Sequence, residues 1–196
     1  MSDLPGDSTA TSDRAVTEPA DQAAFRLEAR AFLTEHAEPL AAIDPWQVSG
    51  FPDDQQARSY FERGRDWQRT LATHGWAGLT WPSEFGGAGR PSWAERVFRE
   101  ESASFGSHAG FIGSTIAMLG PTLQVHATEA VTSRFLPSLI SGEVAWCQLF
   151  SEPGAGSDLA GLATRAVRDD DHWVVDGQKV WNSCAQFADW GFLLAR

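Results

Sequence analysis

Apolar residues recur at helical spacing until about Gly142, and beyond it they fall into short, strand-like runs. Residues 1–20 precede both patterns. They are rich in Ser, Thr, Asp and Pro, with Leu4 and Val16 as the large apolar side chains, so a mobile tail is expected there. From Asp21 onward, Phe25, Ala29, Phe32, Leu33, His36 and Leu40 predict a helix ending near Pro39. A second helix follows Pro52, with Ala57, Phe61, Gly64, Trp67 and Leu71 on one face, and stops before Gly75. The run GWAGLTWPSEFGGAGRP, residues 75–91, is expected to be an ordered loop, because its large rings need burial. Ser92 and Glu95 have the spacing of a capping box, opening a helix to about Ser104. Further helices are expected at 110–126, with a break or kink around Pro121, and at 128–140.

After Gly142, strands are predicted at Val144–Ser151, Thr164–Val167, Trp173–Val175 and Lys179–Ser183, with a last one beginning near Trp190 and running to Arg196. Asp176-Gly177 between two of them is a hairpin signal. The predicted class is therefore α+β: an N-terminal all-α helical domain over 21–142, then an incomplete antiparallel β domain over 143–196. A final strand with no turn after it, in a sheet of four or five strands, leads us to expect an interrupted domain.

Composition narrows the function. The chain has 196 residues, 42% hydrophobic and 21% charged, enough for a buried core. The net charge, 15 − 26 = −11, argues against sequence-independent nucleic-acid binding and polybasic membrane contact. Two cysteines, Cys147 and Cys184, form no CxxC and suggest a reducing compartment. No run approaches the ~20 apolar residues of a membrane span. The start has no basic region followed by an apolar one, so a cytoplasmic protein is expected. Lys179 is the one lysine among 15 basic residues.

Phe150–Asp158, reading FSEPGAGSD, is the stretch densest in candidate chemistry. It lacks the third glycine and the long following helix of a dinucleotide fingerprint, and the Gly-Lys-Ser/Thr of a phosphate loop. Gly86-Gly87-Ala88-Gly89 fails the same tests, and no GxSxG is present. The five histidines (36, 74, 108, 126 and 172) have no metal-ligand spacing, so no metal is expected. Ser151 would present a hydroxyl at a strand end. Gly154 and Gly156 permit close backbone approach, successive amides can form an anion-accepting nest, and Ser157 adds a second hydroxyl. A tight turn that is Gly-rich for steric reasons alone accounts for the same residues. Trp181-Asn182-Ser183 suits stacking on, and hydrogen bonding to, a planar heteroaromatic ring, although a strand Trp is commonly core.

The run WCQLFSEPGAGSD (146–158), followed by DGQKVWNS (176–183) and ADWGFLLAR (188–196), closely resembles the acyl-CoA dehydrogenase family. WPSEFGGAG (81–89), Gly120-Pro121-Thr122 and RFLPSLISGE (134–143) look like further landmarks, so the resemblance covers about residues 20–196. It implies an N-terminal helical domain, a central β domain and a C-terminal four-helix domain, with FAD held between them. The implied reaction removes hydrogens from the α and β carbons of an acyl-CoA thioester, a carboxylate taking the α proton and flavin N5 the β hydride.

Carried onto this chain, the resemblance runs Gln148, Leu149, Phe150 and Ser151 along the flavin ring, with backbone groups and the Ser151 hydroxyl on its pyrimidine side. It puts Gly156 and Ser157 near the pyrophosphate of FAD, with Ser157 also contacting the acyl-CoA. Trp181, Asn182 and Ser183 match a segment whose indole flanks the ring and whose hydroxyl addresses N5. Hydrogen bonds at such positions tune a flavin toward accepting hydride. Gln148, Asn182 and Cys184 depart from the family pattern, and the acyl substrate is left open.

Family members are about twice this long, and their catalytic carboxylate lies in the C-terminal domain. No catalytic residue is therefore assigned, and the base is expected beyond residue 196. Glu152 is expected to cap amides, and Glu100 and Glu101 to be solvated. The expected protein is the N-terminal portion of an FAD-dependent acyl-CoA dehydrogenase, inactive alone. Complete, it would use an acyl-CoA substrate and an electron-transfer acceptor protein as a homo- or hetero-oligomer. The alternatives are a non-catalytic half-length subunit that binds acyl-CoA or a partner chain, and a flavin oxidase or monooxygenase of the same fold.

Overall fold

The computed structural model describes residues 18–40, 53–106 and 109–196. The tail expected over residues 1–20 lies outside them up to residue 17. The described chain runs through helices α1 (Ala20–His36), α2 (Asp54–Thr73), α3 (Ser92–Ser102), α4 (Gly110–His126) and α5 (Glu129–Ile140). Strands β1 (Trp146–Leu149), β2 (Arg165–Asp169), β3 (His172–Asp176) and β4 (Trp190–Leu193) follow. No helix among the described residues is long and apolar enough to cross a membrane.

The helical periodicities bury the expected faces. α1 turns Phe25, Ala29, Phe32 and Leu33 inward. Leu40 lies past its end and is exposed. Asp53 caps α2 by accepting from the Gln56 amide at 2.8 Å, and Ala57, Phe61, Gly64, Trp67 and Leu71 are buried. The Ser92–Glu95 capping box does not form. Pro91, already extended, takes the cap position, so Ser92 is the first helical residue; the Glu95 carboxylate instead accepts from Thr80 Oγ1 at 3.1 Å. Glu101 is not solvated either: it is buried on α3, where Arg26 and Arg30 of α1 donate to it at 2.8 and 2.7 Å.

α4 continues through Pro121 without a break. Pro121 removes one amide from the ladder, and packing holds the turn. Gly120 lies so close to the Trp81 indole that a Cβ there would stand 2.0 Å from its ring. This contact anchors the 75–91 loop, as expected for its rings. Trp81 is buried, and Trp76 stacks on Phe32 at 5.2 Å and on Phe98 at 5.1 Å.

The main core joins the helices to the strand region. Phe61, Leu119, Leu136 and Leu139, buried to 1% exposure or less, share one cluster with Ala145, Trp146 and Cys184. Full burial of each such Leu or Phe contributes about 1.5–3 kcal/mol relative to exposure. A second cluster, Phe25, Leu79, Ala94 and Val97, seals α1 against α3.

The strand region departs from the expected all-antiparallel order. β2 and β3 do pair antiparallel, but they turn at Asp170-Asp171, where Asp170 adopts φ 51°. Asp176-Gly177 is not the hairpin turn, and Lys179–Ser183 is not a strand. Gly177 instead passes so close to Thr164 that a Cβ would lie 2.3 Å from its Oγ1, and the following chain bonds to residues 150–151. β1 and β4 run parallel, Trp146 opposite Trp190 through Leu149 opposite Leu193. The long crossover between them is what parallel pairing requires.

Candidate functional site

β1 delivers the chain to the Gly-rich turn. Leu149 pairs with Leu193 and accepts from the Leu194 amide at 3.2 Å, while the Phe150 ring meets Phe192 edge-on at 5.4 Å. These contacts hold the strand end against β4. Beyond Ser151, Glu152 and Ala155 exchange backbone hydrogen bonds of 2.9 and 3.1 Å, closing the turn over Pro153-Gly154. A Cβ at either Gly154 or Gly156 would meet nothing within 4 Å, so this rim is open. Ser157 on it is exposed, and Ser151 is half-buried.

The second arm is the stretch after β3. The Val180 amide donates to the Ser151 carbonyl at 2.9 Å. The Asn182 side-chain amide, oriented so that both its groups find partners, donates to the Val180 carbonyl at 3.1 Å and the Gln148 carbonyl at 3.2 Å. Gln148, Ser151 and Trp181–Ser183 are thereby brought together, whereas Gly156 and Ser157 lie further out along the rim. Trp181 is no core residue: its side chain is 88% exposed, and its φ is 60°. Cys184 has φ 59°, and the Ser183 amide donates back to the Trp181 carbonyl at 2.9 Å. Two left-handed non-glycine residues bracketing Asn182-Ser183 each cost of order 1 kcal/mol or more, and such conformations cluster at functional sites.

Electrostatically, the site is organised from beneath. Glu152 accepts from the Ala163 amide at 2.6 Å, the Thr164 amide at 2.8 Å and Lys179 Nζ at 2.8 Å, so it caps amides as expected. The Lys179 hydrogen bond is the main reason its carboxyl is held down at about 2. Burial pushes the thiols of Cys147 and Cys184 up, so neither is a ready thiolate. Lys179 is the neighbour that sequence reasoning passed over, although its standing as the one lysine was a signal.

The arrangement can do two things chemically. An exposed indole beside hydroxyl and backbone groups offers a stacking face with a hydrogen-bonding edge for a flat heteroaromatic ring. The open glycine rim leaves room for an anionic group to approach the backbone closely at Gly154 and Gly156, while the Glu152 and Ala155 amides are already paired, each with the other residue's carbonyl. A planar ring carrying phosphates fits both.

The family model described as acyl-CoA dehydrogenase, N-terminal domain, matches residues 19–143, and that of the middle domain matches residues 147–196. The acyl-CoA dehydrogenase IpdE1 of Mycobacterium tuberculosis is 39% identical over 173 residues, which span 88% of this chain and 44% of that protein. Among solved structures, the ChsE4-ChsE5 complex from Mycobacterium tuberculosis matches with a TM-score of 0.70 and 34% identity, over 92% of this chain and 43% of that one. The Tcur3481-Tcur3483 steroid ACAD matches with a TM-score of 0.68 and 35% identity, over 92% and 44%. The chain thus spans less than half the length of these relatives.

Proposed function

Because this chain belongs to the acyl-CoA dehydrogenase family, we propose that it supplies the flavin-facing and thioester-facing surface of an FAD-dependent enzyme that desaturates acyl-CoA between its α and β carbons. The observation that carries this reading is Trp181, an almost fully exposed indole held in a left-handed conformation beside Asn182 and Ser183. Leaving so large an apolar ring in water is unfavourable, and a stacked partner relieves that cost.

FAD, when bound, supplies the acceptor for the hydride from the β carbon. Gln148, Leu149, Phe150 and Ser151 would line its ring through backbone groups and the Ser151 hydroxyl. Trp181, Asn182 and Ser183 would cover the neighbouring edge, and Gly156 and Ser157 would approach the pyrophosphate, with Ser157 also meeting the acyl-CoA. The carboxylate that takes the α proton is assigned to a part of the family fold outside the two matched domains. The free, buried cysteines suit a reducing compartment, and the cytoplasm is proposed.

The relatives suggest how the protein assembles. Two solved relatives are described by paired chain names, one of them explicitly as a complex. A second acyl-CoA dehydrogenase-like chain is therefore the proposed partner, with an electron-transfer protein as the acceptor of the reducing equivalents. The same observation favours a second reading, in which this chain is a non-catalytic subunit that contributes surface to a flavin bound elsewhere.

The test is visible absorption after incubation with FAD and desalting. A retained flavin band, weakened in Ser151→Ala and Trp181→Ala, is the expected result. Its bleaching by an acyl-CoA, from a panel of straight-chain and steroid side-chain thioesters, would follow with the partner present. A folded wild-type protein that retains no flavin, alone or with the partner, overturns the proposal. Retention unchanged in both variants overturns the site.

A further inference from the structure

We infer that Lys179 and Glu152 form a buried clamp that sets the Ser151 peptide and the Trp181–Ser183 arm in register with the flavin ring, an inference that rests on the flavin reading above. Lys179 is then a positioning residue, acting through the backbone it holds.

The pair lies out of water, its side chains 8% and 7% exposed. Burying two charges costs several kcal/mol per ion unless geometry and further hydrogen bonds repay it, so such a pair is weak support for stability by itself. Here the further bonds all go to backbone groups, and one of them reaches the site itself. Glu152 takes the amides of Ala163 and Thr164, and Lys179 Nζ reaches past the carboxylate to the Phe150 carbonyl at 2.8 Å.

That last bond determines an orientation. The described peptides are all trans, so fixing the Phe150 carbonyl toward Lys179 points the Ser151 N–H the opposite way. On the other side of the same residue, the Ser151 carbonyl accepts from Val180. Successive residues of one arm, Lys179 and Val180, therefore hold both carbonyls flanking Ser151, and Trp181 follows directly with its φ of 60°. A left-handed tryptophan persists only where its surroundings over-determine it, and this double attachment supplies that constraint. The side-chain type agrees. The other basic residues of this chain are arginines, but a compact ammonium can serve a carboxylate and a carbonyl in different directions where a planar fork would not.

The experiment compares the wild type, Lys179→Met and the double variant Glu152→Gln/Lys179→Met of the protein that carries this chain. Three readouts are taken: amide hydrogen exchange without flavin, thermal midpoint, and the affinity and visible spectrum of added FAD. In Lys179→Met the Val180 amide should exchange at least about tenfold faster, with α2 and α4 unchanged. FAD should bind about tenfold more weakly, with an altered band.

The double variant separates positioning from bulk stability. Removing both charges relieves the unpaired buried carboxylate, so the midpoint should return toward wild type. The Phe150 carbonyl stays unheld, so the flavin affinity and spectrum should not recover. Recovery of flavin binding together with the midpoint would overturn the inference, as would unchanged Val180 exchange in the double variant. The second outcome is readable even if Lys179→Met alone fails to fold. If the wild-type protein binds no FAD, the flavin reading fails and the clamp's purpose with it, while the exchange data still report whether the clamp itself exists.

Discussion

Gly120→Ala offers the sharpest test of how the helical layer is built. An added Cβ would stand 2.0 and 2.2 Å from Cζ2 and Cη2 of Trp81. The root of the side chain is closely packed as well: a Cβ built at Gly87 would lie 2.3 Å from the Trp81 Cβ, and one at Gly78 would lie 3.3 Å from Cγ. Two effects of opposite sign then compete. Alanine in place of glycine in a helix interior favours the fold by about 1 kcal/mol. Overpacking a tight core costs about 1–3 kcal/mol, and rigid ring atoms at this distance put the cost at the top of that range. The net is a loss of about 2 kcal/mol, which lowers the thermal midpoint by about 4–8 °C for a chain of this size. Urea denaturation followed by circular dichroism at constant slope gives the same quantity. Trp81→Phe/Gly120→Ala should lose less than the sum of the single variants, since the shortened ring vacates the contested space. A Gly120→Ala protein as stable as the wild type, or more so, would refute the reasoning.

Three further outcomes are expected. Leu136→Ala empties a side chain with 0% exposure on α5 and should cost about 2–5 kcal/mol in urea denaturation, leaving the exchange of Val180 unchanged. Ser157→Ala should weaken acyl-CoA binding more than FAD retention, as measured by titration; an equal effect on both would reassign the hydroxyl. The carboxyl of Glu152 sits at about 2 in the folded state against an ordinary 4.5, so its stabilising contribution is present above pH 4.5 and is lost as pH falls toward 2. Thermal midpoints across that window should fall less steeply in Glu152→Gln than in the wild type, because the remaining dependence comes from Glu18, Glu100 and Glu101, which their arginines also hold low.

The helices were legible because period and punctuation agree: Phe61, Trp67 and Leu71 lie on one face between Asp53 and Gly75. Where two local signals competed, the weaker-looking one won. Pro91 displaced Ser92 as the cap of α3, and packing of Gly120 on Trp81 carried α4 through Pro121. The strands were harder because their partners are remote. Asp176-Gly177 is the better hairpin dipeptide by composition, yet the turn falls at Asp170-Asp171, and Lys179 and Val180 bond to a segment almost thirty residues earlier. No local pattern announces a parallel β1–β4 pair. For the candidate site, composition marked Ser151–Ser157 and Trp181–Ser183 separately. Only the resemblance placed them in one site, and neither gave a role to Lys179, although it stands out as the one lysine.

The shared core of helices and strands has a consequence for recombination. The family models divide the chain near residue 145, which invites exchanging halves between homologues at that point. Yet Phe61 of α2 meets Phe187 at 5.6 Å, and Arg65 of the same helix donates to the carbonyls of Gly142 and Glu143 and pairs with Asp189 at 3.3 Å. A chimera cut there would keep Arg65 with Gly142 and Glu143 but divide the Phe61–Phe187 and Arg65–Asp189 contacts between its two parents. Grafts that carry α2 together with residues 184–190 should keep the junction intact, so the transferable unit of this protein is a set of interlocked contacts rather than a stretch of chain.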